Sequence, residues 1–210
     1  MIRNINSHVW AIILAAGFSK RMGEPKLLLP YKGKALIRHT LDECLKSKLD
    51  GIIVVVNPQI KKLVEESQID GVNKVVLNDF SNEGMSTSVK LGLQSLPDSV
   101  QAAIFLLGDQ PLMTSHEINQ IIRDYHHQPN CSIIQAEYQN GKGHPVLFKR
   151  NMFPPLLNID GDEGGKSVIT KFKEHVYYSE LNRKIITDID TPEDYKVLIE
   201  GEMDDENRIK

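Results

Sequence analysis

Short apolar runs alternate with segments of helical periodicity over the first 130 or so residues, and that alternation restricts the chain to few folds. Residues 9–16 (VWAIILAA), 51–56 (GIIVVV), 73–77 (NKVVL) and 102–107 (AAIFLL) read as buried strands running into turns. Between them, residues 35–48 place Leu36, Ile37, Thr40, Leu41 and Leu45 at the spacing of one helix face. Residues 59–67 have the same period, as do 85–96 through Val89, Leu91, Leu93 and Leu96 before Pro97. A further helix over 115–127 is expected to be capped at Thr114 or Ser115. Strands and helices in this order imply parallel β-α-β units with right-handed crossovers.

The pattern loosens after that point. Two further stretches, 131–138 and 143–148, precede short helices that reach 173, and a last strand is expected around 184–189. Thr191-Pro192-Glu193 opens a final helix, with Thr191 as N-cap and Pro192 at N1. The acidic stretch 202–206 reads as a frayed tail. Neither a repeat nor a linker interrupts the chain, so a single domain over 1–210 is expected.

Composition excludes several function classes. With 25 Lys plus Arg against 28 Asp plus Glu, the net charge of −3 gives no electrostatic case for nucleic acid or an anionic membrane as partner. No run approaches the roughly 18 apolar residues of a membrane span. The N-terminal apolar run follows polar residues 4–8 and leads into a basic, glycine-containing segment, so it reads as a first strand and not as a secretory signal. Cys44 and Cys131 are in no ligand-like spacing; both are expected as buried, reduced thiols, which points to a reducing cytoplasm.

In an open α/β sheet, ligands bind beyond the carboxyl ends of the strands. Three segments there carry unusual residues. The first, residues 14–26 (LAAGFSKRMGEPK), joins small residues Ala15, Ala16 and Gly17 to the cations Lys20, Arg21 and Lys26. Small residues let a ligand approach the backbone, and Gly17 would permit a turn forbidden to other residues. Converging cations and backbone N–H groups suit a triphosphate, against the competing reading of a solvated basic loop. The second, residues 106–111 (LLGDQP), presents Asp109 directly after a buried strand, where a carboxylate needs a partner. Mg²⁺ is such a partner; a turn or capping aspartate is the alternative. The third, residues 187–195 (TDIDTPEDY), offers Asp188 and Asp190, which alternate along an expected strand end. Asp190 is the better second metal ligand, with a capping role for the last helix as its rival. No G-x-G-x-x-G follows the first strand, which argues against a dinucleotide-binding oxidoreductase. Residues 161–167 (GDEGGKS) have one residue too few between glycines for a P-loop and follow no strand.

The opening loop resembles the signature of nucleotidyltransferases with a Rossmann-like, GT-A-type fold. Together with LLGDQP, residues 82–93 (NEGMSTSVKLGL), 143–148 (GHPVLF) and 161–165 (GDEGG), it resembles the molybdenum cofactor cytidylyltransferases, including accessory proteins of purine catabolism. The resemblance implies a three-layer α/β sandwich around a mostly parallel mixed sheet, with a nucleotide half at about 9–130 and an acceptor half at about 131–200. It implies Mg²⁺-dependent transfer of CMP from CTP to a molybdopterin-type phosphorylated acceptor, with a molybdenum hydroxylase as recipient of the product. Leu14, Ala15, Ala16 and Gly17 would hold base and ribose, with Ser86 and Ser88 nearby. Arg21 and Lys26 would bind the triphosphate, Asp109 and Asp190 the metal, and His144 would lie on the acceptor side. Ala16 stands where guanylyltransferases of the same cofactor show a second glycine. A sugar or alditol phosphate as acceptor, or a non-catalytic carrier of the cofactor, are the competing readings.

Overall fold

The computed structural model describes residues 8–184 and 188–207, with side chains as far as Gly201. Strand β1 (Val9–Ala15) leads through a long loop and a 3₁₀ turn (Lys26–Leu28) to a small ribbon, β2 (Pro30–Tyr31) and β3 (Lys34–Ala35). The expected alternation follows: α1 (Leu36–Leu45), β4 (Gly51–Val56), α2 (Lys61–Ser67), β5 (Lys74–Leu77), α3 (Met85–Gln94), β6 (Ala102–Leu107) and α4 (Ser115–His127). The second half comprises β7 (Ile133–Tyr138), β8 (Gly141–Lys149), α5 (Phe153–Leu157), α6 (Lys166–Lys171), β9 (Val176–Leu181) and α7 (Pro192–Asn207).

Seven strands form the main sheet in the order β5-β4-β1-β6-β8-β7-β9. Strand β1 pairs in parallel with β4 and β6, β4 with β5, and β7 with β9. Among the described strands of this sheet only β8 runs against the rest, antiparallel to both β6 and β7. Successive side chains leave a strand on opposite faces, and β1 shows the consequence. Val9, Ala11, Ile13 and Ala15 pack against residues of α1, α2 and α4, such as Ile37, Leu63 and Ile118. Ile12, Leu14 and Ala16 pack on the other side against α3, α5 and α6 through Val89, Leu156 and Val168. The result is a three-layer, Rossmann-like α/β sandwich with a mostly parallel mixed sheet.

Several local expectations are corrected. In α1 the core face is Leu36, Ile37, Thr40, Leu41 and Cys44, while Leu45 is exposed and lies over Gly71 at the margin of the layer. Cys44 is buried, and burial, with help from Glu43, pushes its thiol up to about 12. Cys131 is only half-buried because it precedes β7 instead of lying within it. The last strand is β9 at Val176–Leu181, an edge strand with three of its six residues half-exposed and so without a continuous apolar run. The strand expected around 184–189 falls partly on residues 185–187, outside the described residues, and Asp188–Asp190 have no regular structure. Backbone helix continues through 202–206, where a frayed tail was expected.

Candidate active site

The sheet order reverses at β1: the chain builds outward to β4 and β5 on one side, then returns to β6 on the other. The loops after β1 and β6, adjacent parallel strands, therefore lie side by side at the carboxyl ends of the strands, where open α/β sheets bind their ligands in a crevice. Backbone bonds hold its floor and third wall together. Gly108 N donates to Leu14 O at 3.1 Å, and Ile189 N donates to Asp109 O at 3.2 Å. The last bond carries the segment before α7 into the site, although that segment is some 80 residues away in sequence.

Leu14, Ala15 and Ala16 are buried beneath the first loop, and Gly17 is exposed. The turn expected at Gly17 lies elsewhere, because the left-handed residues of this loop are Ser19 at φ 51° and Gly23 at φ 73°. Ser19 organises the loop: its carbonyl accepts from Met22 N at 2.9 Å and its hydroxyl from Lys26 N at 3.2 Å.

Lys26 then reaches the crevice. Its Nζ donates to Asp109 Oδ2 at 2.5 Å and to Asp190 Oδ1 at 2.7 Å, and only 12% of its side chain is exposed. Arg21 Nη2 donates to the other oxygen, Asp190 Oδ2, at 2.7 Å from a largely exposed position. Lys20 instead stands over the Phe18 ring, 6.0 Å from its centre. Burial works against the charge on Lys26, but Asp109 and then Asp190 outweigh it and raise the ammonium above its ordinary range. Burial likewise opposes ionisation of Asp190, yet Lys26 and Arg21 hold its carboxyl below the usual carboxylate range.

The capping rival for Asp190 resolves in favour of its neighbours. Asp194 N donates to Thr191 Oγ1 at 3.2 Å, and Asp194 Oδ2 accepts from Thr191 N at 2.8 Å. Thr191 is therefore the N-cap, as expected, in a reciprocal capping pair with Asp194. The same Asp194 oxygen accepts from Asp190 N at 3.0 Å, which leaves the Asp190 side chain to face the cations. At the start of α4, Thr114 and Glu117 form the equivalent box.

Two residues join the cluster that sequence reasoning did not select. Asp188 accepts a 2.6 Å bond from Gln110 Nε2; burial first, then the Asp109 charge, raises its carboxyl above the ordinary range. Gln110 is buried, and its Oε1 has no partner among the described residues. His144 lies on the β8 side, with Nδ1 3.2 Å from Phe105 O. A carbonyl only accepts, so Nδ1 carries the proton. Burial lowers the imidazole, outweighing the Phe105 carbonyl and the charges of Asp188 and Asp109, so the ring is held neutral. The His144–Pro145 peptide is cis, and Tyr138 Oη donates to the His144 carbonyl at 2.6 Å.

Ser86 and Ser88 are buried at the start of α3. Ser86 N donates to Gly161 O at 3.0 Å, docking the GDEGG loop on the helix. Asn78 Nδ2 donates to Ser88 Oγ at 2.8 Å and to Thr87 Oγ1 at 2.9 Å. Asn57, at the end of β4, is also buried, and its Nδ2 has no partner among the described residues. A sequence signal for these did exist. Asn57, Asn78 and Asp109 each follow the end of a parallel strand by one or two positions, at the sheet edge where open α/β folds bind ligands.

Among the described residues no cluster of three His, Cys, Asp or Glu forms a ready metal cage. Asp109 and Asp190 nevertheless turn hard oxygen donors toward one shared cation position, that of the Lys26 amine. Two carboxylates so placed suit Mg²⁺ or Mn²⁺, which complete their shells with water and phosphate oxygens. No helix among the described residues is long and apolar enough to cross a membrane.

Residues 11–176 match the family of the MobA-like NTP transferase domain. The chain is 25% identical to the purine catabolism protein PucB of Bacillus subtilis, with 89% of this chain and 94% of that one covered. It is 25% identical to nicotine blue oxidoreductase of Paenarthrobacter nicotinovorans, over 75% of this chain and 79% of that one. With the molybdenum cofactor cytidylyltransferase of Escherichia coli it shares 26% identity over 90% of this chain and 94% of that one. A solved homologue of Mycobacterium tuberculosis Rv0371c, from Mycobacterium sp. strain JC1, superposes with a TM-score of 0.82 at 29% identity, covering 93% and 96% of the two chains. Rv0371c in complex with manganese gives 0.78 at 27% identity, covering 92% of this chain and 98% of that one.

Proposed function

Because the chain belongs to the MobA-like NTP transferase family and is a nucleotidyltransferase, we propose that it transfers CMP from CTP to a molybdopterin-type cofactor, releasing pyrophosphate. The product would supply a molybdenum hydroxylase. The observation that carries this reading is the convergence of Arg21, Lys26, Asp109 and Asp190 at the switch point of the sheet. The relation to a molybdenum cofactor cytidylyltransferase and a purine catabolism protein supports the choice of acceptor, and Ala16 supports CTP over GTP.

In this reading residues of about 9–130 hold the nucleotide and those of about 131–200 the acceptor. Leu14, Ala15, Ala16 and Gly17 line the base and ribose, with Ser86 and Ser88 alongside. The acceptor's terminal phosphate attacks the α-phosphorus of CTP in line; the bond to the β-phosphate oxygen breaks and pyrophosphate leaves. A phosphate monoester is already ionised near neutrality, so no general base is required, and catalysis rests on positioning and charge neutralisation. Arg21 and Lys26 offset the charge gathering on the leaving pyrophosphate. Asp109 and Asp190 would hold Mg²⁺, which when bound supplies further positive charge to the phosphates. The manganese complex of Rv0371c supports a divalent cation in this fold. Neutral His144 borders the acceptor side, where it adds no charge.

The test is pyrophosphate release by the purified protein with Mg²⁺ and CTP, GTP, ATP or UTP, with and without molybdenum-loaded molybdopterin. Release is expected only with CTP plus the pterin, and Asp109→Ala should remove most of it while the protein stays folded. Release with a sugar phosphate and none with the pterin would move the activity to another acceptor.

A further inference from the structure

Arg21 and Lys26, the two cations assigned above to the triphosphate, are both bound to the carboxylates assigned to the metal. Of the four oxygens of Asp109 and Asp190, Lys26 engages Asp109 Oδ2 and Asp190 Oδ1, and Arg21 engages Asp190 Oδ2. Only Asp109 Oδ1 is outside these three bonds. An ammonium and a divalent cation cannot share the same pair of oxygens, because each would stand within a few ångströms of the other in a partly dehydrated site. The two cations differ in their hold. Arg21 is 69% exposed and can leave at little cost, whereas Lys26 and Asp109 are 12% and 15% exposed, where an unpaired charge is costly.

We propose that Lys26 is the resident counter-ion of this carboxylate pair, and that a divalent cation takes the pair only when Lys26 is drawn off to the phosphates of an incoming nucleotide. The inference rests on the assignment of Asp109 and Asp190 as the metal-binding pair. It adds that the free protein holds the bare ion only weakly and takes it tightly together with a polyphosphate, since the polyphosphate gives Lys26 a second anionic partner. Lys26 thus has two stations, one on each side of the same reaction site, and the site stays near electrical balance in both.

The test reads metal affinity directly, without turnover. Mn²⁺ is titrated into the free protein, and the loss of the hexa-aqua Mn²⁺ signal is followed by electron paramagnetic resonance. Wild type should bind weakly. Lys26→Met, which removes the competing charge, should bind Mn²⁺ at least ~10-fold more tightly. Lys26→Gln should do the same, and covers the case in which the methionine variant fails to fold. Lys26→Arg, which keeps the cation, should stay as weak as wild type. Equal affinity in wild type and both neutral variants, abolished by Asp109→Asn, would overturn the gate and leave the metal pair intact. Absence of Mn²⁺ binding in every form would overturn both.

Discussion

Lys26 is the residue on which the electrostatics of the site turn. Its ammonium is raised by Asp109 and Asp190 despite burial, and the Asp190 carboxyl is lowered by Lys26 and Arg21 despite burial. The linkage follows from those directions. Asp190, depressed from an ordinary 3.8, contributes stability that is present above that value and is lost as pH falls through the folded one. Lys26, raised from 10.5, contributes stability that is present below that value and is lost as pH rises through the folded one. The Lys26–Asp190 pair therefore stabilises the fold evenly across the neutral range. Comparing melting temperatures of wild type and Asp190→Asn, we expect a difference that is flat from about pH 5 to 9 and shrinks below about pH 4. A difference that changed across neutrality would contradict the assigned pairing. At this scale the sequence offered Lys20, Arg21 and Lys26 as a triphosphate cradle and Asp109 and Asp190 as metal ligands, and the family resemblance chose Arg21 and Lys26 among the cations. It did not indicate that they partner one another, since their bonds span 83 to 169 positions of sequence. Gln110 lay in a quoted motif and Asp188 beside a chosen residue, yet only their 2.6 Å contact shows that they act together.

Elements place these residues through close packing. Helix α3 lies directly on β1 at Gly92, where a Cβ would stand 2.5 Å from Ile12 Cγ2, and Ile12 is fully buried. Gly92→Ala would gain about 1 kcal/mol of helix propensity. Overpacking of a tight core costs about 1–3 kcal/mol, and here the clash is with a branched side chain that has little room to turn. We therefore expect net destabilisation in urea unfolding, and a stabilised variant would show that the α3–β1 contact is softer than its geometry. The helix faces and caps were legible where the period was strong: α4 begins at Ser115 behind Thr114, as expected, because a capping box is local chemistry. Leu45 and β9 were not. Whether Leu45 or Cys44 faces inward depends on how α1 is rolled on the sheet. An edge strand with half-exposed side chains carries no periodicity strong enough to register.

For the molecule as a whole, the crevice is an effect of topology. Strand β1 lies between β4 and β6, so loops distant in sequence open toward the same space. A ligand that bridges them binds only the folded chain, so nucleotide should stabilise it by mass action, by about 2.7 kcal/mol at a hundred times Kd. For a chain of this length that is a rise of about 5–10 °C in Tm. Differential scanning fluorimetry should show the rise with CTP plus Mg²⁺, a smaller one with CTP alone and little with Mg²⁺ alone. No shift with any nucleotide would remove the crevice as an NTP site. The sequence alone determined the β-α-β alternation of the first half, because strand and helix periods and the strand–helix order are carried by neighbouring residues. It also pointed to a polyphosphate and metal site as the expected chemistry, because small residues, cations and a carboxylate follow the strand ends. Only the tertiary structure decided which cation meets which carboxylate, that Asp190 faces the cations while Thr191 and Asp194 cap α7, and that Lys26 stands between Asp109 and Asp190. Those are properties of distance between remote segments, set by how the sheet is ordered and how tightly its layers close.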